Sequence, residues 1–188
     1  MKEKKSTGDI LYAKPRKNSD ECYTPRYTVI PIVRHILLYE DKIGKNVTVW
    51  LPFDKEDSEF VKVLQEVGIN YVSSHIDEGK DFFEYEPENW DIIVSNPPFK
   101  NKKAFFERAL SFDKPFALLM TTTWLNDAAP FRLFKKYNKD LQLLTFDKRT
   151  HYLDSEKKDM GRPSFGSAYY CCDFLQKQII FEILDKKV

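Results

Sequence analysis

Apolar residues recur along this chain in two rhythms. Between residues 25 and 39, Val29, Val33, Ile36 and Leu37 return at helical spacing. Thr24 and Pro25 make a favourable start for that helix, with threonine as N-cap and proline in the first helical position. Gly44 breaks the pattern, and residues 47–51 form a short β-branched run of the kind that becomes a buried strand. An amphipathic helix over about 57–66 presents Phe60, Val61 and Leu64 on one face and ends at Gly68. Strands are predicted at 70–74, 90–95, 116–120 and 141–146, with helices at about 102–112 and 129–137 between them. Two closing strands, 168–174 and 178–184, follow with a short connection and suggest an antiparallel hairpin at a sheet edge. Strand–helix alternation with such an ending predicts an α/β fold: an open, mostly parallel Rossmann-like sheet flanked by helices. In such sheets ligands bind beyond the carboxyl ends of the strands, so the loops after Leu51, Ser74, Ser95 and Met120 attract attention.

With 188 residues, 42% hydrophobic and 15% aromatic, the chain has material for one packed domain, taken as 21–188. Residues 1–20 are polar, Lys-rich and aperiodic, and are read as a flexible N-terminal arm. No stretch reaches the length of a membrane span, and the N-terminal lysines have no apolar core behind them, so a cytoplasmic protein is expected. Cys22 stands alone and Cys171 and Cys172 are adjacent, so no disulfide framework is suggested; His35, His75 and His151 are scattered, and no metal site is expected. A net charge of +1 disfavours a dedicated DNA-wrapping protein but permits an enzyme that grips nucleic acid through a local patch.

The chemistry concentrates in Asn96-Pro97-Pro98-Phe99, directly after the strand Asp-Ile-Ile-Val-Ser. In that setting the tetrapeptide strongly resembles the (D/N/S)-P-P-(Y/F/W) signature of the class I S-adenosylmethionine-dependent amino-methyltransferases, specifically the adenine-N6 group. The likeness extends over about residues 20–184. Tyr23-Thr24-Pro25 resembles the family's T-P element, which contacts the methionine part of the donor. Leu51-Pro52-Phe53-Asp54 resembles its D-P-F loop. Asp81-Phe82 sits where an acidic-then-apolar pair meets the donor adenine. The W-x-P-F-D loop and the G-x-D-F-F segment are also similar to phage-type sequences of that kind.

The resemblance implies an enzyme that uses S-adenosylmethionine to methylate N6 of adenine in DNA or RNA. The residue types suit that chemistry. An exocyclic amine conjugated to a purine is a poor nucleophile. The Asn96 side-chain carbonyl and the Pro97 backbone carbonyl offer two acceptors that would hold both amino hydrogens and turn the nitrogen lone pair toward the methyl donor. Pro97 and Pro98 stiffen the loop, and Phe99 offers a face for stacking on an extruded base.

The donor loop departs from the family pattern. Leu51 stands in place of the usual acid, and Lys55 and Asp57 replace the glycines that let the backbone approach the cofactor. The acid that usually grips the donor ribose has His75 or Asp77 as its nearest counterpart. Two alternatives follow. Asp54, Ser58 and the N-terminus of the next helix hold the donor in a modified geometry. Otherwise the chain is a catalytically degenerate scaffold that binds nucleic acid or a protein partner. A third keeps the enzyme but makes guanine amino groups or glutamine amides the acceptor. For the substrate, Lys100, Lys102 and Lys103 are candidate phosphate contacts. Lys148, Arg149, Lys157, Lys158 and Arg162 border the expected target pocket, Phe165 is a candidate second wall for the base, and Trp124 is either a site residue or core at the sheet rim.

Overall fold

The computed structural model describes residues 22–187; the proposed arm at 1–20 lies outside the described residues. Among these residues seven strands form one sheet: β1 (Thr48–Leu51), β2 (Asn70–Ser73), β3 (Ile92–Ser95), β4 (Phe116–Thr121), β5 (Gln142–Phe146), β6 (Ser167–Cys172) and β7 (Ile179–Glu182). Their order across the sheet is β2-β1-β3-β4-β6-β5-β7. Strands β1 to β4 pair in parallel, and β6 is antiparallel to both of its neighbours, β4 and β5. The two closing strands do run in opposite directions, with β5 between them. β7 bonds in parallel to β5, because the connection after Cys172 carries the chain past β5 to the outer edge.

Among the described residues four α-helices cover the faces: α1 (Arg26–Ile43), α2 (Glu59–Val67), α3 (Lys102–Ser111) and α4 (Ala128–Lys136). Side-chain alternation sorts the core. Val49 and Leu51 of β1, Ile92 and Val94 of β3, and Leu119 of β4 pack with Val29, Ile32 and Ile36 of α1 and Phe60 and Leu64 of α2. Their neighbours Trp50, Ile93, Leu118 and Met120 point the other way, against Phe106 and Leu110 of α3 and Leu133 and Phe134 of α4. Both faces of the central strands are buried, which is why they read as unbroken apolar runs.

The start of α1 differs from the expectation. Pro25 holds the N-cap position, and no side chain caps the helix. Thr24 stands one residue too early to reach the first-turn amides. The helix runs to Ile43 and ends at Gly44, whose left-handed φ of 65° suits glycine.

The chain leaves β1 outward to β2 and returns across β1 to β3. The loops after β1 and β3 therefore diverge, and a crevice opens between them.

Candidate active site

A cleft of about 630 Å³ occupies that crevice. Pro52, Phe53, Asp54 and Ser58 enter it from the β1 loop, His75 and Ile76 from the turn after β2, Asp81 and Phe82 from the next turn, and Asn96-Pro97-Pro98-Phe99 from the end of β3. Tyr23 and Thr24 close one side. They are held there by a backbone bridge in which the amides of Tyr23 and Leu153 each donate to the other's carbonyl at 2.9 Å. Thirteen of the twenty residues singled out in the sequence thus surround one space, although they span residues 23–99.

Asn96 is oriented by its surroundings. Its Nδ2 donates to the Cys22 carbonyl at 3.1 Å. That oxygen can only accept, so the amide nitrogen must be the group facing it, and Oδ1 is the arm left over. Oδ1 is buried and has no partner, as is the Thr24 hydroxyl. A buried acceptor left unpaired costs about 1–3 kcal/mol, so the fold holds a hydrogen-bond acceptor in reserve beside the cleft. Phe99 meets Tyr152 edge-on at 5.8 Å, and Tyr152 is fixed by a 2.8 Å bond to Ser167.

Asp54 is the buried charge of the site. Burial pushes its carboxyl up from 3.8 to about 6, while hydrogen bonds from Ser95 and Ser58 and the charge of Lys157 pull it back. Ser58 also caps α2, its oxygen accepting from the Val61 amide at 3.2 Å. We expect Ser58→Ala to lower stability by about 1–2 kcal/mol, seen as a lower urea midpoint with an unchanged slope.

The residues at the glycine positions do not fill the cleft. Lys55 lines the cleft while its amine reaches Asp77 at 2.6 Å, and Asp57, which is not among the lining residues, meets Lys157 at 3.1 Å. The space beside Phe53 is lined by rings, with Phe82 and Phe105 each 5.0 Å from Phe53 and Phe83 stacked on Phe105. Leu51 is fully buried in the core on the α1 side. Asp81 lines the cleft while one of its oxygens accepts from the Phe83 amide at 2.9 Å. The His75 ring nitrogen accepts from the Asp77 amide at 3.1 Å.

Other expected site residues lie elsewhere. Pro25 is buried at the helix start, outside the lining. Trp124 does not reach the cleft: it is 1% exposed and packs on Phe106, with ring centroids 4.4 Å apart, and on Tyr170. Its place is in the core at the sheet rim. Lys100 and Lys103 are exposed and outside the cleft, as is Phe165. Arg149 and Arg162 line a second cleft with Lys148, His151 and Lys186. There Arg149 donates to the Pro163 carbonyl at 2.9 Å and Lys148 to the Leu184 carbonyl at 3.1 Å. A neutral carbonyl positions Arg149 without cancelling its charge, while Lys148 also lies 3.5 Å from Asp147, the one acid in that lining. Lys157, expected beside the target pocket, lines the main cleft instead, together with Leu153, which was not anticipated; the long-range pairing with Tyr23 brings their loop there. Among the described residues no cluster of metal-ligating side chains occurs, and no helix is long and apolar enough to cross a membrane.

No protein-family model matches the chain, and no curated protein matches it in sequence. Solved structures do match. A protein from Listeria monocytogenes, assigned as a class I S-adenosylmethionine-dependent methyltransferase, superposes over 93% of this chain and 69% of its own, with TM-score 0.53 and 10% identity. A protein from Pyrococcus horikoshii, assigned as an RNA methyltransferase, superposes over 91% of this chain and 96% of its own, with TM-score 0.55 and 13% identity. The chain has the Rossmann-like fold of these proteins.

Proposed function

We propose that the protein is an S-adenosylmethionine-dependent methyltransferase that acts on the N6 amino group of adenine in nucleic acid. The observation that carries this is the unpaired, buried Asn96 Oδ1, aimed by Cys22 at the end of β3 in a cleft at the switch point. The fold shared with assigned methyltransferases supports the methyl-transfer part of this reading.

The cleft suits the donor. Its volume lies within the range of small-molecule sites, about 300–1,000 Å³. Phe53, Ile76, Phe82 and Phe83 offer an apolar end for the adenine, and Asp81 keeps a second carboxylate oxygen for its amino group. Asp54 offers a buried anion for the α-ammonium, three residues beyond the position where Leu51 replaces the family's acid. The N-terminus of α2, capped by Ser58, favours the donor carboxylate. When bound, S-adenosylmethionine supplies an electrophilic methyl group on a positively charged sulfur.

The chain's own residues then prepare the acceptor. Asn96 Oδ1 and the Pro97 carbonyl accept the two amino hydrogens, localising the lone pair on nitrogen. Methyl transfer would leave the bonding electron pair on the donor sulfur and place positive charge on that nitrogen. The two oxygens would stabilise it until one of the held protons passes to solvent water. Phe99, braced by Tyr152, supports the base. The second cleft, with Lys148, Arg149, Arg162 and Lys186, takes the sugar–phosphate backbone.

The test is incubation with labelled donor and separate DNA, RNA and protein acceptors, followed by hydrolysis and mass spectrometry. N6-methyladenine from DNA or RNA is the expected product. Methylated guanine or glutamine would move the acceptor, and donor binding with no labelled product would favour a binding protein on this scaffold. For the second cleft, we expect the Arg149→Gln/Arg162→Gln double variant to bind oligonucleotides more weakly regardless of sequence. Its log–log salt slope should be shallower by about two, and donor affinity should be unchanged.

A further inference from the structure

Strand β7 ends the sheet with its outer side unpaired among the described residues. Its composition is unusual for an open edge. Phe181 is 79% exposed, Ile183 74% and Ile179 51%, and all three project from the same face. The alternate residues look inward: Ile180 joins the core on the α1 side, and Glu182 bonds His35 of α1 at 3.0 Å. Exposed edges of soluble proteins are usually blunted with lysine, proline or a bulge, and none of these interrupts residues 178–184.

The backbone follows the same parity. The carbonyls of Gln178 and Glu182 accept from Leu143 and Asp147 on the β5 side. Even-numbered residues therefore turn their amides and carbonyls toward β5. The odd-numbered residues 179, 181 and 183 turn theirs away from the sheet.

We infer that this edge pairs with the same edge of a second copy, antiparallel about a two-fold axis through Phe181. That register is the self-complementary one. Phe181 faces Phe181 of the other copy as a hydrogen-bonded pair, and Ile179 faces Ile183 in both directions, so the outward amides and carbonyls of all three residues are satisfied. Just beyond the strand ends, the register brings Lys177 of one copy near Asp185 of the other, a charge pair made twice by the symmetry. A shift by two residues loses both the charge match and the central aromatic pair. A shift by one pairs outward groups with residues already bonded to β5. The product is one continuous sheet through both copies, in which the apolar side chains of the two stripes lie side by side across the new pairing. Because the strands reverse across the axis, the two main clefts open at opposite ends of the sheet.

Sedimentation velocity on the full chain tests this. The wild-type protein should sediment at twice its 22.3 kDa mass at tens of micromolar. Phe181→Lys places two like charges at the axis, and Phe181→Pro removes the central outward amide. Neither touches a bond to β5, and edge strands tolerate both residues. Each variant should therefore run at the single-chain mass with an unchanged circular dichroism spectrum. Phe181→Lys alone suffices if the proline variant does not fold. Lys177→Glu and Asp185→Lys should each weaken the dimer roughly three- to ten-fold, and combining them should restore it. A monomeric wild-type protein, a dimer that survives Phe181→Lys, or a double charge swap that restores nothing would overturn the inference. All of these readouts are independent of methyl transfer.

Discussion

Replacing Asn96 with alanine is expected to lower methyl transfer by about two to three orders of magnitude, the cost of losing one preorganised acceptor from a charge-stabilising site. Donor affinity should stay within about two-fold. The separation follows from where the side chain spends its hydrogen bonds. Nδ2 is tied to the Cys22 carbonyl, while Oδ1 is tied to nothing. Alanine removes an acceptor that matters only when an amino group arrives. It also removes an unpaired buried oxygen, so the variant should be no less stable than the wild-type protein by more than the single bond to Cys22, about 1 kcal/mol. Asn96→Asp distinguishes geometry from charge, since it keeps the acceptor and loses the donor to Cys22. Single-turnover rates at saturating donor, with calorimetric titration of the donor in parallel, check both parts. A variant that keeps full rate would remove Asn96 from the chemistry.

Asp54 yields the second large effect, with opposite consequences for binding and stability. If its carboxylate receives the donor ammonium, Asp54→Asn should weaken donor binding about ten- to hundred-fold, the worth of a charge-assisted hydrogen bond. Donor affinity of the wild-type protein should fall as pH drops through about 6, where the carboxyl takes up a proton. The variant should show no such dependence. Stability runs the other way. The folded-state value lies above the unfolded one, so the native protein binds the proton more tightly. Asp54 then lowers stability progressively as pH rises from 3.8 to about 6. That interval corresponds to roughly 3 kcal/mol at neutral pH. Asparagine keeps an oxygen for Ser95 and carries no charge, so Asp54→Asn should be more stable than the wild-type protein at pH 7 and similar to it at pH 4. Thermal unfolding at both values, beside donor titrations from pH 5 to 8, gives the full pattern. Such an exchange of stability for binding is the usual mark of a functional buried charge.

Much of this arrangement was legible in the residues. Continuous runs such as Ile92–Ser95 and Phe116–Thr121 are buried on both faces, and their lack of alternation announced that. The placement of Asn96 after one strand and Phe53 after another put both beside the switch point, which topology rules then turned into a cleft. What stayed hidden depends on long-range contacts. Leu153 has no periodicity of its own, and only pairing with Tyr23, far away in sequence, delivers its loop, with Lys157, to the donor cleft rather than to the expected target pocket. Trp124 was ambiguous because an aromatic at the end of a strand fits a rim and a site equally well; packing against Phe106 decided it. The closing strands were found, but their local patterns could not say that β5 would lie between them. The altered loop looked like a blocked donor site in sequence because a side chain at a glycine position is presumed to point inward. Here Lys55 and Asp57 find partners of opposite charge at the rim.

The measurement that bears most directly on the whole account is calorimetric titration of S-adenosylmethionine into the protein at pH 7.5. A single site per chain with a dissociation constant on the order of micromolar, about −8 kcal/mol, is the predicted result. It should weaken sharply in Asp54→Asn and persist in Asn96→Ala. No binding heat at millimolar donor, or binding indifferent to Asp54, would contradict it.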